Sequence, residues 1–315
     1  MNKRIGLIDV DGHNFPNIPL MKISAWHKAQ GDHVEWYDPM FSDHKDIVYM
    51  SKVFSFSPDF NYFIDADKVV KGGSGYCINL VNGKEAFDKT KDTMLPPEIE
   101  HIYPDYSLYG IEDTAYGFLT RGCPRGCHFC HVEAKEGRAS KKVADLSEFW
   151  SGQKNIVLCD PNILACKQWK ELLWQLVGSK AWVDFNQGLD IRLMTEEKAE
   201  LIKKIRTKNL HFAWDRYEDK EKILPKFEMF KEITNIDYRK LGVFVLCNFN
   251  TTFEQDLERI EWLREHGFSP YVMLYNKENI PKGDKLRKLQ RWVNNRFVFA
   301  KCKSFEEYQK KEKEK

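Results

Sequence analysis

The second half of the sequence repeats one pattern, a short apolar run followed by a segment with helical spacing. Each run is short and rich in β-branched and aromatic residues, which is typical of strands. The runs lie at 114–119, 155–159, 182–186, 210–214, 241–247 and 270–275. Strands that alternate with helices pair in parallel, because each helix returns the chain to the same end of the sheet. Six such units fit a partial (β/α)6 barrel, and a doubly wound sheet fits the same strand count.

Capping residues and apolar spacing predict the intervening helices. Thr195 is a suitable N-cap and is followed by glutamates that favour the first helical turn. Thr252 and Gln255 have the spacing of a capping box. In 167–177 apolar residues recur at i, i+3, i+4, i+7 and i+8, which places them on one helical face. A last helix is expected over 284–295.

The N-terminal part of the chain carries a shorter version of the same alternation. It contains four predicted strands and one predicted helix. The strands lie at 4–10, 33–38, 46–54 and 68–73, and the helix at 20–30. Too few residues separate the third and fourth strands for a helix. We therefore expect a small parallel α/β domain, Rossmann-like or flavodoxin-like, with one of its usual helices missing.

These patterns predict the domain organisation. The small α/β domain covers 1–105, the barrel covers 106–300, and a charged, solvated tail covers 301–315. An apolar fraction of 42% and an aromatic fraction of 14% can fill two cores. The net charge of +2 gives no indication of a nucleic-acid partner. The sequence has no apolar run of membrane-spanning length and no secretory signal, so we expect a cytoplasmic protein without a membrane partner.

Three cysteines lie close together after the first strand of the repeat, in a C-x3-C-x2-C array of Cys123, Cys127 and Cys130. Iron–sulfur clusters usually have four cysteine ligands, so a cluster held by three would keep one iron open. Zinc is the alternative, with His128 or His131 as a fourth ligand. The third possibility is that the spacing is coincidental. The other cysteines are expected to be small buried apolar residues. They are Cys77, Cys159, Cys166, Cys247 and Cys302.

The array resembles the signature of the radical S-adenosylmethionine (SAM) superfamily, C-x3-C-x-φ-C with an aromatic φ, and Phe129 occupies φ. The resemblance implies that Cys123, Cys127 and Cys130 ligate a 4Fe–4S cluster, that SAM chelates the open iron, and that Phe129 lies against the adenine. Reductive cleavage of SAM would give a 5′-deoxyadenosyl radical that abstracts hydrogen from an unidentified small-molecule or nucleotide substrate. The electron would come from an external donor such as flavodoxin or ferredoxin.

The flanking letters RGCP and FC resemble the branch of that superfamily with an N-terminal cobalamin-binding-type domain. Asp11-x-His13 stands where that domain carries D-x-H-x-x-G, although Pro16 replaces the glycine. Ser51-x-Val53 and Gly72-Gly73 stand where it has S-x-L and GG. Because the domain is short and lacks a helix, we expect His13 to be an ordinary loop histidine. Cobalamin is therefore not expected, and cobalamin-dependent methyl transfer is an alternative function.

Polar residues at the carboxyl ends of the predicted strands are candidates for SAM contacts, because barrels of this kind carry their sites there. Asp160 matches the acidic position after the second strand in related enzymes; its alternative is a turn or N-cap aspartate. Gln187 and Arg192 resemble the polar group after the third strand. Arg192 could pair with the SAM carboxylate or form a surface ion pair. Asp215 and the adjacent Arg216 could face the SAM ribose or the substrate, or could equally pair with each other.

A different class of function, a zinc-stabilised binding module, would use the same cysteines. The basic run that follows them predicts a solvated face, or alternatively contact with a phosphate-bearing substrate. It comprises Lys135, Arg138, Lys141 and Lys142. The long βα repeat favours an enzyme, since zinc modules are small and do not need a barrel.

Overall fold

The computed structural model describes residues 2–81 and 84–313. The chain divides into two compact units, Met1–Gln168 and Trp169–Lys315. Both contain helices and parallel sheet, so the predicted α/β class is confirmed. The predicted domain boundaries and the closure of a barrel stay predictions.

The first unit begins with a parallel sheet of strand order β2-β1-β3-β4. Its elements follow the predicted order strand, helix, strand, strand, strand. They are β1 (Arg4–Asp9), α1 (Ile18–Ala29), β2 (His33–Trp36), β3 (Lys45–Ser51) and β4 (Ala66–Gly72). The segment 52–65 crosses from β3 to β4 without a helix, as the sequence predicted.

The two faces of this sheet are covered differently. On one face Ile5 and Leu7 pack against Leu20 and Ile23 of α1. The other face has Ile8, Tyr37, Val48 and Met50 at its centre, joined by partly buried residues of the crossing segment such as Phe60 and Ile64. That second face is covered by extended chain, where the first is covered by a helix.

The rest of the first unit consists of short strands and helices. Strands β7 and β10 pair in parallel, β5 and β6 form an antiparallel hairpin, and β8 and β9 form a two-residue antiparallel ladder. The bounds are α2 (Ser74–Cys77), β5 (Ile78–Val81), β6 (Lys84–Phe87), α3 (Pro97–Glu100), β7 (Thr114–Gly117), β8 (Thr120–Arg121), α4 (Val132–Glu136), β9 (Lys141–Lys142) and β10 (Asn155–Leu158).

The second unit is a parallel sheet of strand order β14-β13-β12-β11 with helices between its strands. The bounds are α5 (Trp169–Ser179), β11 (Trp182–Leu189), α6 (Glu196–Lys203), β12 (Thr207–Ala213), α7 (Lys220–Thr234), β13 (Leu241–Cys247), α8 (Phe253–Glu265), β14 (Ser269–Leu274), α9 (Lys285–Asn294), α10 (Arg296–Lys301) and α11 (Phe305–Lys313). The Thr195 N-cap and the Thr252–Gln255 capping box form as predicted.

The end of the chain differs from the solvated tail expected over 301–315. Phe305 and Tyr308 of α11 are buried, and the Phe305 ring centroid lies 5.7 Å from that of Trp292. Their spacing of three residues places both side chains on one helical face. This short apolar face holds α11 in place although most of its residues are charged.

Candidate functional site

The three cysteines lie on a loop whose two ends are tied together. Thr120 pairs with Lys142 and Arg121 pairs with Lys141 in the ladder of β8 and β9. The intervening residues 122–140 therefore form a closed excursion from the end of the first strand of the repeat. A loop closed at its base restricts the positions that its thiols can take.

Glu136 holds the start of this loop. Its carboxylate accepts a hydrogen bond of 2.8 Å from the backbone N–H of Gly122 and pairs with the Arg121 guanidinium at 3.0 Å. The guanidinium also lies 3.6 Å from the ring centroid of Phe118. One residue further on, the N–H of Cys123 donates to the Gly137 carbonyl at 3.2 Å. Side-chain and backbone contacts thus fix the chain entering the cysteine array.

Gly122 is required at its position for two reasons. Its φ is +86°, a region that residues with a Cβ rarely adopt. A Cβ there would also lie 2.2 Å from the Ala139 carbonyl oxygen. The two limbs of the loop approach each other at this point more closely than any side chain allows.

The thiols differ in exposure. Cys123 and Cys127 are half-buried and Cys130 is exposed, while the N–H of Cys130 donates to the Cys127 carbonyl at 3.0 Å. The Asn162 amide donates to Cys123 Sγ at 3.4 Å. Phe129 is half-buried. None of the chain's eight cysteines, all within the described ranges, forms a disulfide.

The donor set fits a thiophilic metal, because three thiols share one closed loop. In the described parts of the chain, however, no group of three or more His, Cys, Asp or Glu side chains is positioned to hold a metal ion. His128 is exposed and His131 is half-buried. The choice between iron–sulfur and zinc therefore rests on the sequence.

Asp160 lies at the end of β10, where the sequence placed it, and is buried. Its carboxylate accepts hydrogen bonds from the N–H of Leu119 at 3.2 Å, the N–H of Thr120 at 2.5 Å and the Thr120 hydroxyl at 2.6 Å. Burial raises the pKa of Asp160 to about 6, while these hydrogen bonds act to lower it. Asp160 therefore anchors the backbone that leads into the cysteine loop.

Arg192, in the second unit, forms ion pairs within the chain. The Arg192 Nε atom lies 2.7 Å from the Asp190 carboxylate, and its Nη1 atom lies 3.0 Å from the Asp219 carboxylate. The nearby carboxylates raise the pKa of Arg192 against the effect of burial. Gln187 is exposed, in the part of β11 where the pairing register with β12 shifts.

Asp215 follows β12 and differs from these residues. Its half-buried carboxylate takes part in no hydrogen bond within the part of the chain that the structure describes. Burial raises the pKa of Asp215 to about 6, and the positive charges of Arg192 and Arg259 act against that rise. Asp215 is thus a partly desolvated carboxylate with opposite charges near it.

A buried pair that the sequence analysis missed fixes the ends of β12 and β13. Arg259 of α8 donates to the carbonyls of Trp214 at 2.5 Å and Leu246 at 2.9 Å, and to Asp256 at 2.5 Å. Both charged side chains are almost completely buried. Asp256 also accepts from the N–H of Asn248 at 3.1 Å. The sequence did contain a sign of this pair, the i, i+3 spacing of Asp256 and Arg259 on one helix. Apolar residues alone identified the helical face, so this pair of charges was not considered.

The basic run after the cysteines is largely engaged. Arg138 lies 2.5 Å from Glu133 and Lys142 lies 2.6 Å from Asp145. Lys135 is half-buried, and desolvation lowers its pKa. Pairing and burial leave little of this run as a positive patch.

The residues that resemble a cobalamin motif lie around the carboxyl end of the first sheet. The His13 ring stacks on Trp36 with centroids 4.2 Å apart. The Asp11 carboxylate accepts from the N–H groups of Val53 and Phe54. Ser51 accepts a hydrogen bond of 2.8 Å from the Asn17 amide. Each of these side chains therefore has a structural partner in the chain.

Comparison of the sequence with protein-family models and with curated proteins gives no match. In the described residues, no helix is both long and apolar enough to cross a membrane. The structure brings Asp160 to the base of the cysteine loop and Arg192 near Asp215, each within its own unit.

Proposed function

We propose that this chain is a radical SAM enzyme acting on a small-molecule or nucleotide substrate. The observation that carries the proposal is the closed loop with Cys123, Cys127 and Cys130, which follows the first strand of a parallel βα repeat. When bound, a 4Fe–4S cluster held by these thiols supplies the electron that cleaves SAM to a hydrogen-abstracting 5′-deoxyadenosyl radical. The partial (β/α)6 barrel belongs to the same proposal.

The chain's own residues have distinct parts in this proposal. Glu136 and Asp160 hold the entry to the loop, so that the thiols lie on a preorganised segment. Phe129 offers an aromatic surface for the adenine. Asp160, Gln187, Arg192 and Asp215 are proposed SAM or substrate contacts. Among them Asp215 has the most available carboxylate, whereas Asp160 and Arg192 would have to share or exchange partners that they already have.

The proposed setting follows from cysteine usage and charge. Exposed and half-buried thiols without disulfides suit a reducing compartment, so we propose a cytoplasmic protein. An external electron donor such as flavodoxin or ferredoxin would supply electrons. The small net charge and the ion-paired basic run do not favour a nucleic-acid partner.

The test is anaerobic reconstitution with iron and sulfide, followed by dithionite and SAM, with 5′-deoxyadenosine measured by mass spectrometry. Cys127→Ala removes one proposed ligand. Cys166→Ala is the matched control, because Cys166 is buried outside the loop. We expect about four irons per chain and 5′-deoxyadenosine from the wild type and from Cys166→Ala, and neither from Cys127→Ala.

Other outcomes would redirect the assignment. Protein that holds one zinc, loses it in a His128→Ala or His131→Ala variant and is indifferent to SAM would support the zinc-stabilised module. Cobalamin that copurifies and is lost in His13→Ala would support the methyltransferase alternative. An intact cluster in Cys127→Ala would disprove the proposed ligand set.

A further inference from the structure

β4 is an outer strand of the first sheet and has a bare edge. It pairs with β3 along its whole length, from Ala66 beside Lys45 to Gly72 beside Ser51. Among the strands that the structure describes, none pairs with its other edge. Val69, at the centre of β4, is 39% exposed. The N–H and C=O groups that β4 directs away from β3 are a template for another strand, and near its end the Thr93 hydroxyl donates to the Lys71 carbonyl at 3.4 Å.

Large aromatic side chains are exposed at both ends of this edge. Tyr62 and Phe63 lie just before β4, and Phe63 is 83% exposed. Phe54 and Phe56 lie at the other end, where the Ser74 hydroxyl donates to the Val53 carbonyl. Phe56 is 82% exposed, and its ring stacks on that of Phe54 with centroids 5.2 Å apart.

A contiguous exposed apolar patch marks a contact with a protein or a membrane, a ligand groove or a surface prone to aggregation. Here the exposed aromatic groups belong to the extended segment that replaces a helix between β3 and β4. The segment covers the centre of the second face with Phe60 and Ile64, and leaves its other aromatic side chains outside. The exposed aromatic groups therefore go together with the absence of a helix between β3 and β4.

The sequence of β4 shows which partner suits this edge. In antiparallel pairing centred on Val69, Asp67 of one strand lies opposite Lys71 of an identical strand, and Lys71 lies opposite Asp67. Lys68 then lies opposite Val70. A twofold contact must be self-complementary, and this register meets that condition with two opposite-charge pairs.

We propose that β4 pairs with β4 of a second copy of this chain, antiparallel about a twofold axis through Val69. The symmetry brings Tyr62 and Phe63 of one copy towards Phe54 and Phe56 of the other, so the exposed aromatic groups at both ends are covered together. The dimer contact does not depend on the proposed enzymatic function.

Asp67 and Lys71, the two charged residues of the proposed dimer contact, are exposed and only weakly paired within the chain. Asp67 is 69% exposed and, within the described residues, pairs only with His44, at 3.2 Å. Lys71 is 52% exposed and lies 3.9 Å from Asp59. Exposed ion pairs of this kind contribute little, so exchanging them for pairs across the twofold axis costs little.

The test is the mass of the full-length wild-type protein by sedimentation equilibrium over two decades of concentration. Asp67→Lys and Lys71→Glu each place like charges opposite each other twice, and we expect each to weaken the dimer at least about tenfold. The double variant Asp67→Lys/Lys71→Glu restores opposite charges and should restore the dimer. Lys68→Glu is the matched control, because Lys68 faces Val70 in this register, and it should leave the dimer intact.

Several results would overturn the proposal. A wild type that is monomeric over the whole range removes the contact. A dimer that both single variants leave unchanged lies at another surface. Failure of the double variant to recover, in protein whose circular dichroism matches the wild type, excludes the register centred on Val69.

Discussion

Asp160 and Asp215 occupy similar positions in the sequence, but their carboxylates have different hydrogen-bond partners in the structure. Each follows a parallel strand, and burial raises the pKa of each to about 6. Asp160 accepts three hydrogen bonds from Leu119 and Thr120, whereas Asp215 accepts none within the described residues. A carboxylate whose acceptor capacity is used by the backbone supports the fold, and one left beside guanidinium groups is better placed to bind a ligand.

This difference shows that a raised pKa can belong either to a carboxylate that supports the fold or to one that is available to a ligand. Desolvation acts on both aspartates, so the shift alone does not identify a functional residue. The hydrogen-bond partners do distinguish them. Asp160 and Glu136 direct their oxygens at backbone N–H groups of the chain that enters the cysteine loop. Their role in the proposed enzyme is to hold the loop, and a direct ligand contact is more plausible for Asp215.

The largest expected effect comes from truncating the two aspartates in turn. Asp160→Ala leaves three donors at a buried site without their acceptor and should lower the free energy of unfolding by about 4 kcal/mol. Asp215→Ala removes no hydrogen bond to a described residue and relieves the desolvation of a carboxylate, so it should leave this free energy unchanged or raise it. Urea denaturation at neutral pH measures both. An equal loss of unfolding free energy in the two variants would show that the hydrogen bonds to Asp160 do not make it more important for stability than Asp215.

A second comparison tests how rigid the loop supported by Asp160 is. Gly122 and Gly137 have nearly equal φ values, +86° and +89°, but only at Gly122 would a Cβ meet another atom. Gly137→Ala should lose about 1 kcal/mol from backbone strain alone. Gly122→Ala adds the contact with the Ala139 carbonyl and should lose about 3 kcal/mol. Matching losses, measured by urea denaturation, would mean that the loop relaxes freely.

The sequence predicted those parts of the fold that depend on local pattern. Every predicted strand forms with bounds within a few residues of those expected, and the caps at Thr195 and Thr252 form as expected. Helix α7 was expected from the repeat, as the helix between two predicted strands, but the sequence indicated no bounds for it. Its apolar residues Ile223, Phe227 and Phe230 have helical spacing, but Pro225 within it obscured the pattern.

The candidate site was predictable only in part, because its geometry depends on contacts between distant residues. The cysteine array is local and was recognised directly. The partners of Asp160 lie about 40 positions away, and the Arg192–Asp219 pair spans 27 positions. Spacing carries no information about such contacts. The sequence therefore located the polar residues at strand ends but did not separate structural carboxylates from available ones.

The pH dependence of stability provides the third test. As pH rises from about 4 to about 6, the Asp215 carboxyl ionises in the unfolded chain while the folded protein keeps its proton. The unfolded state then binds fewer protons, so stability falls across this window. Asp215→Asn has no such titration. Its free energy of unfolding relative to the wild type should rise by about 2 kcal/mol between pH 4 and pH 7.

Urea denaturation of both proteins at each pH measures this difference. Asp160 titrates in the same window, but its contribution is common to the two proteins and cancels. A constant difference between Asp215→Asn and the wild type would place the pKa of Asp215 near its ordinary value. Asp215 would then be solvated like a surface aspartate, and it would no longer count as a desolvated carboxylate available to a ligand.

The smallest expected effect concerns the charges near Asp215. The Arg192 guanidinium lowers the pKa of Asp215 against the effect of burial. Arg192→Met removes that charge and should raise the pKa of Asp215 further, by about half a unit or more. Carboxyl carbon NMR of aspartate-labelled protein follows the titration directly. Arg239→Met is the matched control, because Arg239 is an exposed arginine of the same unit that pairs with Asp237.

The direction of the shift decides what Arg192 does. A higher pKa in Arg192→Met, with no change in Arg239→Met, means that Arg192 acts on Asp215 through its charge while it is bound to Asp190 and Asp219. An unchanged pKa means that these two carboxylates already neutralise the guanidinium. Asp215 would then interact with a ligand without help from Arg192, and the expected pairing of Arg192 with a ligand carboxylate would require breaking both ion pairs.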